Sequence, residues 1–152
     1  MPLPVRRISG ESAKLRLRYW LNLLKASRHV ENRIRDRLRR EFATTLPRFD
    51  VMAMLAKSGT GLKMSELSGE LMVSNGNVTG IIDRLVADGL VVRVSIKGDR
   101  RATLVRLTAK GEHDFAAMAM AHETWVAEML DCLDDREITG GLRTLGKVRG
   151  AN

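Results

Sequence analysis

Cysteine occurs once in this chain of 152 residues, at Cys132. No intrachain disulfide is therefore possible, and the chain suits a reducing cytoplasm. Its place near the end of a helical stretch points to a buried structural thiol rather than a redox sensor. No apolar run approaches the roughly 18 residues a membrane helix needs, and the opening MPLPVRRISGES lacks the apolar stretch of a secretory signal. Zinc-ligand spacing and nucleophile motifs are missing too. Lys57-Ser58-Gly59-Thr60 matches only the end of a phosphate loop, without the glycine pattern that should precede it. These absences point away from an enzyme and from any metal or cofactor. The sequence also shows no internal repeat and no low-complexity tract.

What is present is a basic, core-forming chain. Hydrophobic residues make up 44%, enough for a packed interior, and charged residues 29%. The length suits one domain with helical extensions. A net charge of +8 favours a polyanionic partner, nucleic acid first among them, though a basic surface without such a partner has the same composition.

Residues 1–12 read as a flexible basic arm, since Pro2, Pro4, Gly10 and Ser12 discourage a helix. A long helix is predicted from Ala13 to Phe42. Trp20, Leu23, Leu24, Val30, Ile34, Leu38 and Phe42 give it one apolar stripe. It is overlong for so small a domain, so its far end should pack on a second copy. Its many arginines, from Arg28 to Arg40, read mainly as a solvated face. Pro47 suits the first turn of a second helix, with Phe49, Met52, Leu55 and Ala56 on one side and Ser58-Gly59-Thr60-Gly61 at its end.

Ser65 is placed as the cap of a short third helix with Leu67 and Leu71 inward, and Ser74 as the cap of a fourth. In the fourth, Val78, Ile81, Ile82, Leu85 and Val86 fall on one face, and Asp88-Gly89 stops it. Leu90–Ser95 and Ala102–Leu107 read as strands about a turn at Lys97-Gly98-Asp99. A fifth helix follows Thr108, with Phe115, Met118, His122, Trp125, Met129 and Leu133 as its stripe. Asp134 and Glu137 form a capping box for a last helix. There Ile138, Leu142, Leu145 and Val148 should face inward. Gly140 and Gly141 weaken that helix, so it needs a partner surface.

The fold class is thus mainly α with a small β-wing. Residues 46–108 form a winged helix-turn-helix, and 13–45 with 109–149 form a helical dimerisation region. In a helix-turn-helix the second helix enters the major groove with its N-terminal residues nearest the bases. Here that start is Ser74-Asn75-Gly76-Asn77-Val78-Thr79. Asparagine can hold adenine by two hydrogen bonds, and threonine can bond a base or meet a thymine methyl. With Val78 buried, Gly76, Gly80 and Asp83 lie opposite, flanked by Asn77 and Arg84. Glycines on that face make sense if something bulky approaches the backbone. The plainer reading of Asn75-Gly76-Asn77 is a turn and cap. In the wing, Lys97, Arg100 and Arg101 suit a minor groove, and Asp99 suits the task of orienting an arginine guanidinium. Elsewhere such a turn would be a solvated charged hairpin. The DNA-binding candidates are therefore Ser65, Ser74, Asn75, Asn77, Thr79, Arg84, Lys97, Asp99, Arg100 and Arg101.

With DRRATLVRLT from Asp99 to Thr108 and MVSNGNVTGIIDRLVADGLVVR from Met72 to Arg93, the chain resembles the MarR family of bacterial transcriptional regulators across roughly residues 13–149. Asp99, Arg101, Val105, Leu107 and Thr108 fit the family's wing pattern. The resemblance implies a homodimer built by the terminal helices, a pseudo-palindromic double-stranded DNA operator, repression, and release by a small aromatic effector. That effector would be an acid, a phenol or an aromatic coenzyme A thioester. The stretch TTLPRFDVMAML, Thr44 to Leu55, is similar to regulators of aromatic catabolism. Carried onto this chain, the ligand zone between dimerisation helices and reading domain is lined by Trp20, Leu24, Ser27, Arg48, Phe49, Met52, Met118 and His122. An aromatic carboxylate would want a cation and an apolar wall there; the plainer reading of the aromatics and methionines is core. A non-specific architectural DNA-binding protein is the competing function. It would bind any duplex alike and have no need of Asn75 or Asn77.

Overall fold

The computed structural model describes residues 8–71 and 75–150, and the expected cap Ser74 lies outside them. Among the described residues there are six helices and three strands. Helix α1 (Gly10–Phe42) has 33 residues, about 50 Å at 1.5 Å per residue. It begins three residues before the expected Ala13, because Ser9 acts as its cap and accepts the Ser12 N–H at 3.3 Å. Residues 10–12 therefore belong to the helix rather than to an arm. Only Ile34 and Leu38 of α1 are buried. Its N-terminal half stands clear of the core, with Leu15, Leu17, Tyr19, Trp20 and Leu21 exposed.

Helix α2 (Leu46–Ser58) starts at the cap Thr45 with Pro47 in its first turn. It is the central element: α1, α3, α4, α5 and β3 all pack on it. That surrounds Phe49, Val51, Met52 and Leu55, all buried, and explains why α2 lacks a clean polar side. Ala56 is exposed rather than part of the apolar face.

A two-residue strand β1 (Leu62–Lys63), unforeseen in the sequence, pairs with β3 through Leu62 opposite Val105 and Lys63 opposite Leu104. Two residues are too few for an alternating pattern to register. Helix α3 (Met64–Leu71) follows at once. Ser65 is not its cap; it lies within the first turn, exposed, and the Glu66 carboxylate instead accepts the Lys63 N–H at 2.8 Å.

Helix α4 (Asn75–Ala87) buries Val78, Ile82 and Leu85 completely and Ile81 nearly so. Each such side chain contributes about 1.5–3 kcal/mol relative to exposure. Gly89 adopts φ +74°, the left-handed conformation that ends a helix. The bonds Leu90 N–H to Leu85 and Gly89 N–H to Val86, both 3.0 Å, close it.

Strands β2 (Val91–Ile96) and β3 (Asp99–Leu107) form the wing, in an antiparallel sheet ordered β1-β3-β2. The register runs from Val91 opposite Leu107 to Ser95 opposite Thr103, then jumps so that Ile96 faces Asp99. The extra residues on β3 make a bulge, which twists the tip. Asp99 thus belongs to the strand, and Lys97-Gly98 is the turn.

Helix α5 (Ala109–Met129), capped by Thr108, buries Met118 and Trp125. Trp125 packs on Phe42 at 6.0 Å between ring centres and lies under Arg37 at 5.8 Å, while Arg37 pairs with Glu128. Two other α1 arginines also pair with acids, Arg35 with Glu31 and Arg39 with Asp36. Leu133 lies beyond the end of α5 and is exposed, as is Cys132, contrary to the buried thiol expected. Helix α6 (Asp135–Val148) carries the capping box of Asp134 and Glu137 but buries nothing. Leu142, Leu145 and Val148 are exposed at 67%, 37% and 70% rather than turned inward, because a single chain has no surface facing them.

Candidate functional site

With Val78, Ile82 and Leu85 locked into the core, the opposite side of α4 has only one place to point. Asn77, Thr79, Gly80, Asp83 and Arg84 are all exposed along it. The side chain of Asn75 lies outside what the structure describes. An acid at position 83 would repel phosphate, but Asp83 pairs with Arg93 of β2. That contact ties α4 to the wing, and spacing along the chain did not reveal it. Ser65 sits on α3, the helix packed directly on α4.

At the wing tip Lys97 and Arg101 are exposed, and the Arg100 side chain lies outside the described set. No carboxylate among the described residues pairs with Lys97, Arg101 or Arg84, so these three exposed cations are available to phosphate. Among the described side chains no guanidinium pairs with Asp99, whereas the sequence suggested that it orients one. The Asp99 carboxylate accepts the main-chain N–H of Arg101 at 3.0 Å. The acid shapes the bulge from which Arg101 projects, because the local main chain offers a donor two residues on.

The far end of α4 is fastened to the rest of the chain. Arg48 of α2 donates to the Asp88 carboxylate. Lys110 Nζ donates to the Asp88 carbonyl at 3.0 Å, and Thr108 Oγ1 to the Gly89 carbonyl at 2.7 Å. Gly111 lies so close beneath Leu90 that a Cβ there would sit 2.0 Å from its carbonyl oxygen. Asp88, Lys110, Thr108 and Gly111 were invisible as a group in the sequence, since they meet only through the turn between α4 and β2.

The eight residues expected at the ligand zone are distributed over more than one place in the single chain. Arg48, Met52 and Met118 border a pocket of about 530 Å³ with Thr44, Asp88, Leu90, Lys110 and His113. Ser27 and His122 border another, of about 470 Å³, with Asp50 and Ile34. Phe49 is buried between elements, its ring 4.9 Å from His122 and 5.6 Å from Phe115. Leu24 is half-buried and Trp20 is 53% exposed, and neither borders these two pockets. Asp50, between α1 and α5, has its carboxyl raised above the ordinary range by partial burial; His122 pulls it down, Glu31 raises it and Arg35 lowers it.

Known proteins share this arrangement. The MarR family pattern matches residues 44–103. The HTH-type transcriptional regulator YsmB of Bacillus subtilis is 26% identical over 136 residues, covering 88% of this chain and 92% of that protein. A crystal structure of a MarR family transcriptional regulator from Silicibacter pomeroyi superposes with a TM-score of 0.79 at 33% identity, covering 95% of this chain and 99% of the other. A mutant MarR from E. coli, complexed with operator DNA, shares the fold, with a TM-score of 0.74 at 22% identity over 93% of this chain and 99% of that one.

Proposed function

The chain belongs to the MarR family of transcriptional regulators, and we propose that it acts as a homodimeric, ligand-responsive repressor on a pseudo-palindromic operator. The observation that carries this reading is α4. Its buried face is complete without a partner, and its other face displays Asn77, Thr79 and Arg84 beside a wing bearing Lys97 and Arg101. Asn77 and Thr79 read base edges in the major groove. Lys97, Arg100 and Arg101 take the neighbouring minor groove and phosphates, and Ser65, Ser74 and Asn75 hold the register around them.

The dimer is carried by the surface left bare. Leu142, Leu145 and Val148 on α6 and Leu15, Leu17 and Trp20 on α1 are exposed apolar residues on the two terminal helices. A patch of this kind is the mark of an interface. The dimerisation parts are residues 13–45 and 109–149, and the reading part is 46–108. That a MarR protein has been captured with operator DNA supports the same use of α4 here. No described helix is long and apolar enough to cross a membrane, and the site of action is the cytoplasm.

The effector is a small aromatic compound bound between these two parts. Ligand can shift the dimer only by its differential affinity for the reading and non-reading arrangements. Selection from a random duplex library at physiological salt tests the whole reading. It should enrich one palindrome with half-sites about one helical turn apart. Binding without enrichment would favour an architectural protein.

A further inference from the structure

The chain's positive charge is not centred on the part that reads DNA. Helix α1 has ten basic residues against four acidic, a net +6. Residues 46–108 have nine against six, a net +3, and residues 109–149 five against eight, a net −3. Contacts of α4 and the wing therefore account for less than half of the excess. Three α1 arginines are already paired, Arg35 with Glu31, Arg39 with Asp36 and Arg37 with Glu128. Lys25, Arg28, Arg33 and Arg40 are exposed, and no carboxylate among the described residues pairs with them. Arg40 gives only its Nε, to the Asp36 carbonyl at 3.4 Å. At about 3.6 residues per turn, the four project from the sides of α1 turned away from Val30, Ile34 and Leu38, which pack on the core. Asp36 shares those sides but is held by Arg39. The large apolar residues exposed on α1 end at Leu21, so the apolar surface assigned to the dimer stops short of this stretch.

We propose that this stretch of α1 holds the phosphate backbone of a second DNA duplex, so that one dimer joins two segments. Long, flexible cations without an apolar centre suit phosphate, whereas protein interfaces deplete charge at their core. Lys25 to Arg40 spans about 22 Å, enough to cross a major groove about 12 Å wide from one phosphate ridge to the other. Backbone contacts of this kind carry no sequence information. Helix α1 packs chiefly on α5 and α2, whereas α4 packs on α3, α2 and β2, so the stretch and the reading face look out from different sides of α2. The second duplex therefore does not compete with the first. The inference goes beyond operator reading, since the second contact needs no palindrome.

Two-duplex capture with the full chain tests it. The chain is loaded on a bead-bound duplex carrying the selected palindrome, freed of excess, and offered a labelled duplex without the palindrome. Both reading helices of the dimer are then occupied, so captured label reports another surface. Capture is expected, and it should fall steeply as salt rises. Lys25→Gln, Arg33→Gln and Arg40→Gln together should keep the affinity for the palindrome in anisotropy but lower capture by about tenfold or more, with a salt slope smaller by about three per α1 engaged. Should the triple variant not fold, Arg33→Gln alone should lower the capture slope by about one. No capture by the parent, or equal capture by parent and variant, overturns the proposal. So does a variant that sediments as a monomer beside a dimeric parent, which would give the stretch to the second copy. So does a variant whose only loss is weaker binding of the palindrome on lengthened flanks, which would put α1 on the same duplex. A chain that prefers no palindrome can be run on any immobilised duplex it binds, so failed operator reading and failed bridging stay distinguishable.

Discussion

Gly80 lies mid-way along α4 on its exposed side, and its φ is not in the left-handed region. A Cβ built on it meets nothing within 4 Å. Nothing inside the chain therefore requires glycine there, and helix propensity argues against it. Replacing it with alanine should stabilise the fold by about 0.5–1 kcal/mol. For a chain of this size that raises the unfolding midpoint by roughly 1–4 °C. If α4 enters the major groove, the same methyl lies on the face that meets DNA beside Thr79. Displacing a base contact costs about 1–3 kcal/mol, roughly 5- to 150-fold in affinity for the selected palindrome. Affinity for unrelated duplex should fall less, because phosphate contacts from the wing are kept. Thermal unfolding and fluorescence anisotropy of one preparation measure both effects. Gly80→Ala must be more stable and a worse binder. A variant that is more stable and binds the palindrome as well as the parent refutes the placement of this face on DNA.

Four other outcomes follow from the geometry. Arg101→Ala removes one cation from each wing and should weaken all duplex binding, lowering the salt slope by about one per wing; an unchanged slope in anisotropy would remove Arg101 from the interface. Gly111→Ala forces a methyl into the Leu90 carbonyl and should lower stability by at least about 1–3 kcal/mol, read as a lower denaturation midpoint. Leu142→Lys, on a side chain 67% exposed in the single chain, should leave the helix content intact and shift the sedimentation profile toward monomer. Asp50→Asn should flatten a pH dependence: burial raises the Asp50 carboxyl, so the folded chain holds its proton more tightly than the unfolded one. Stability should then fall as pH rises from about 4, the ordinary carboxylate value, through the raised one, and the midpoint of the variant minus that of the parent should grow more positive across that window.

The periodic elements were legible because their cause is local. Val78, Ile81, Ile82 and Leu85 recur at helical spacing, and all four are buried. Asp134 with Glu137 caps α6 as their spacing indicated, whereas the caps Thr45 and Thr108 had not been marked as such. The wing was legible in outline from its branched residues, but its bulge was not, since the jump after Ser95 is a property of the pairing and not of either strand alone. Pairings across the fold were hidden for the same reason. Asp83 with Arg93 and Arg48 with Asp88 join elements that sequence separation does not couple. Asp99 shows the limit most plainly: its proximity to an arginine was readable, but its bond to the main-chain N–H of Arg101 depends on the local shape of the bulged strand. The eight ligand-zone residues, carried over from the family resemblance, fall in different surroundings within the single chain, because the positions where α1, α2 and α5 meet along their lengths are set by packing and not by periodicity.

Footprinting of the full chain on its selected duplex, with dimethyl sulfate for the major groove and hydroxyl radical for the backbone and minor groove, tests the central claim most directly. Two major-groove windows about one helical turn apart, each flanked by a protected minor groove, are the pattern of a dimer reading with α4 and gripping with its wings. A single window, or uniform protection without a repeat, would contradict it.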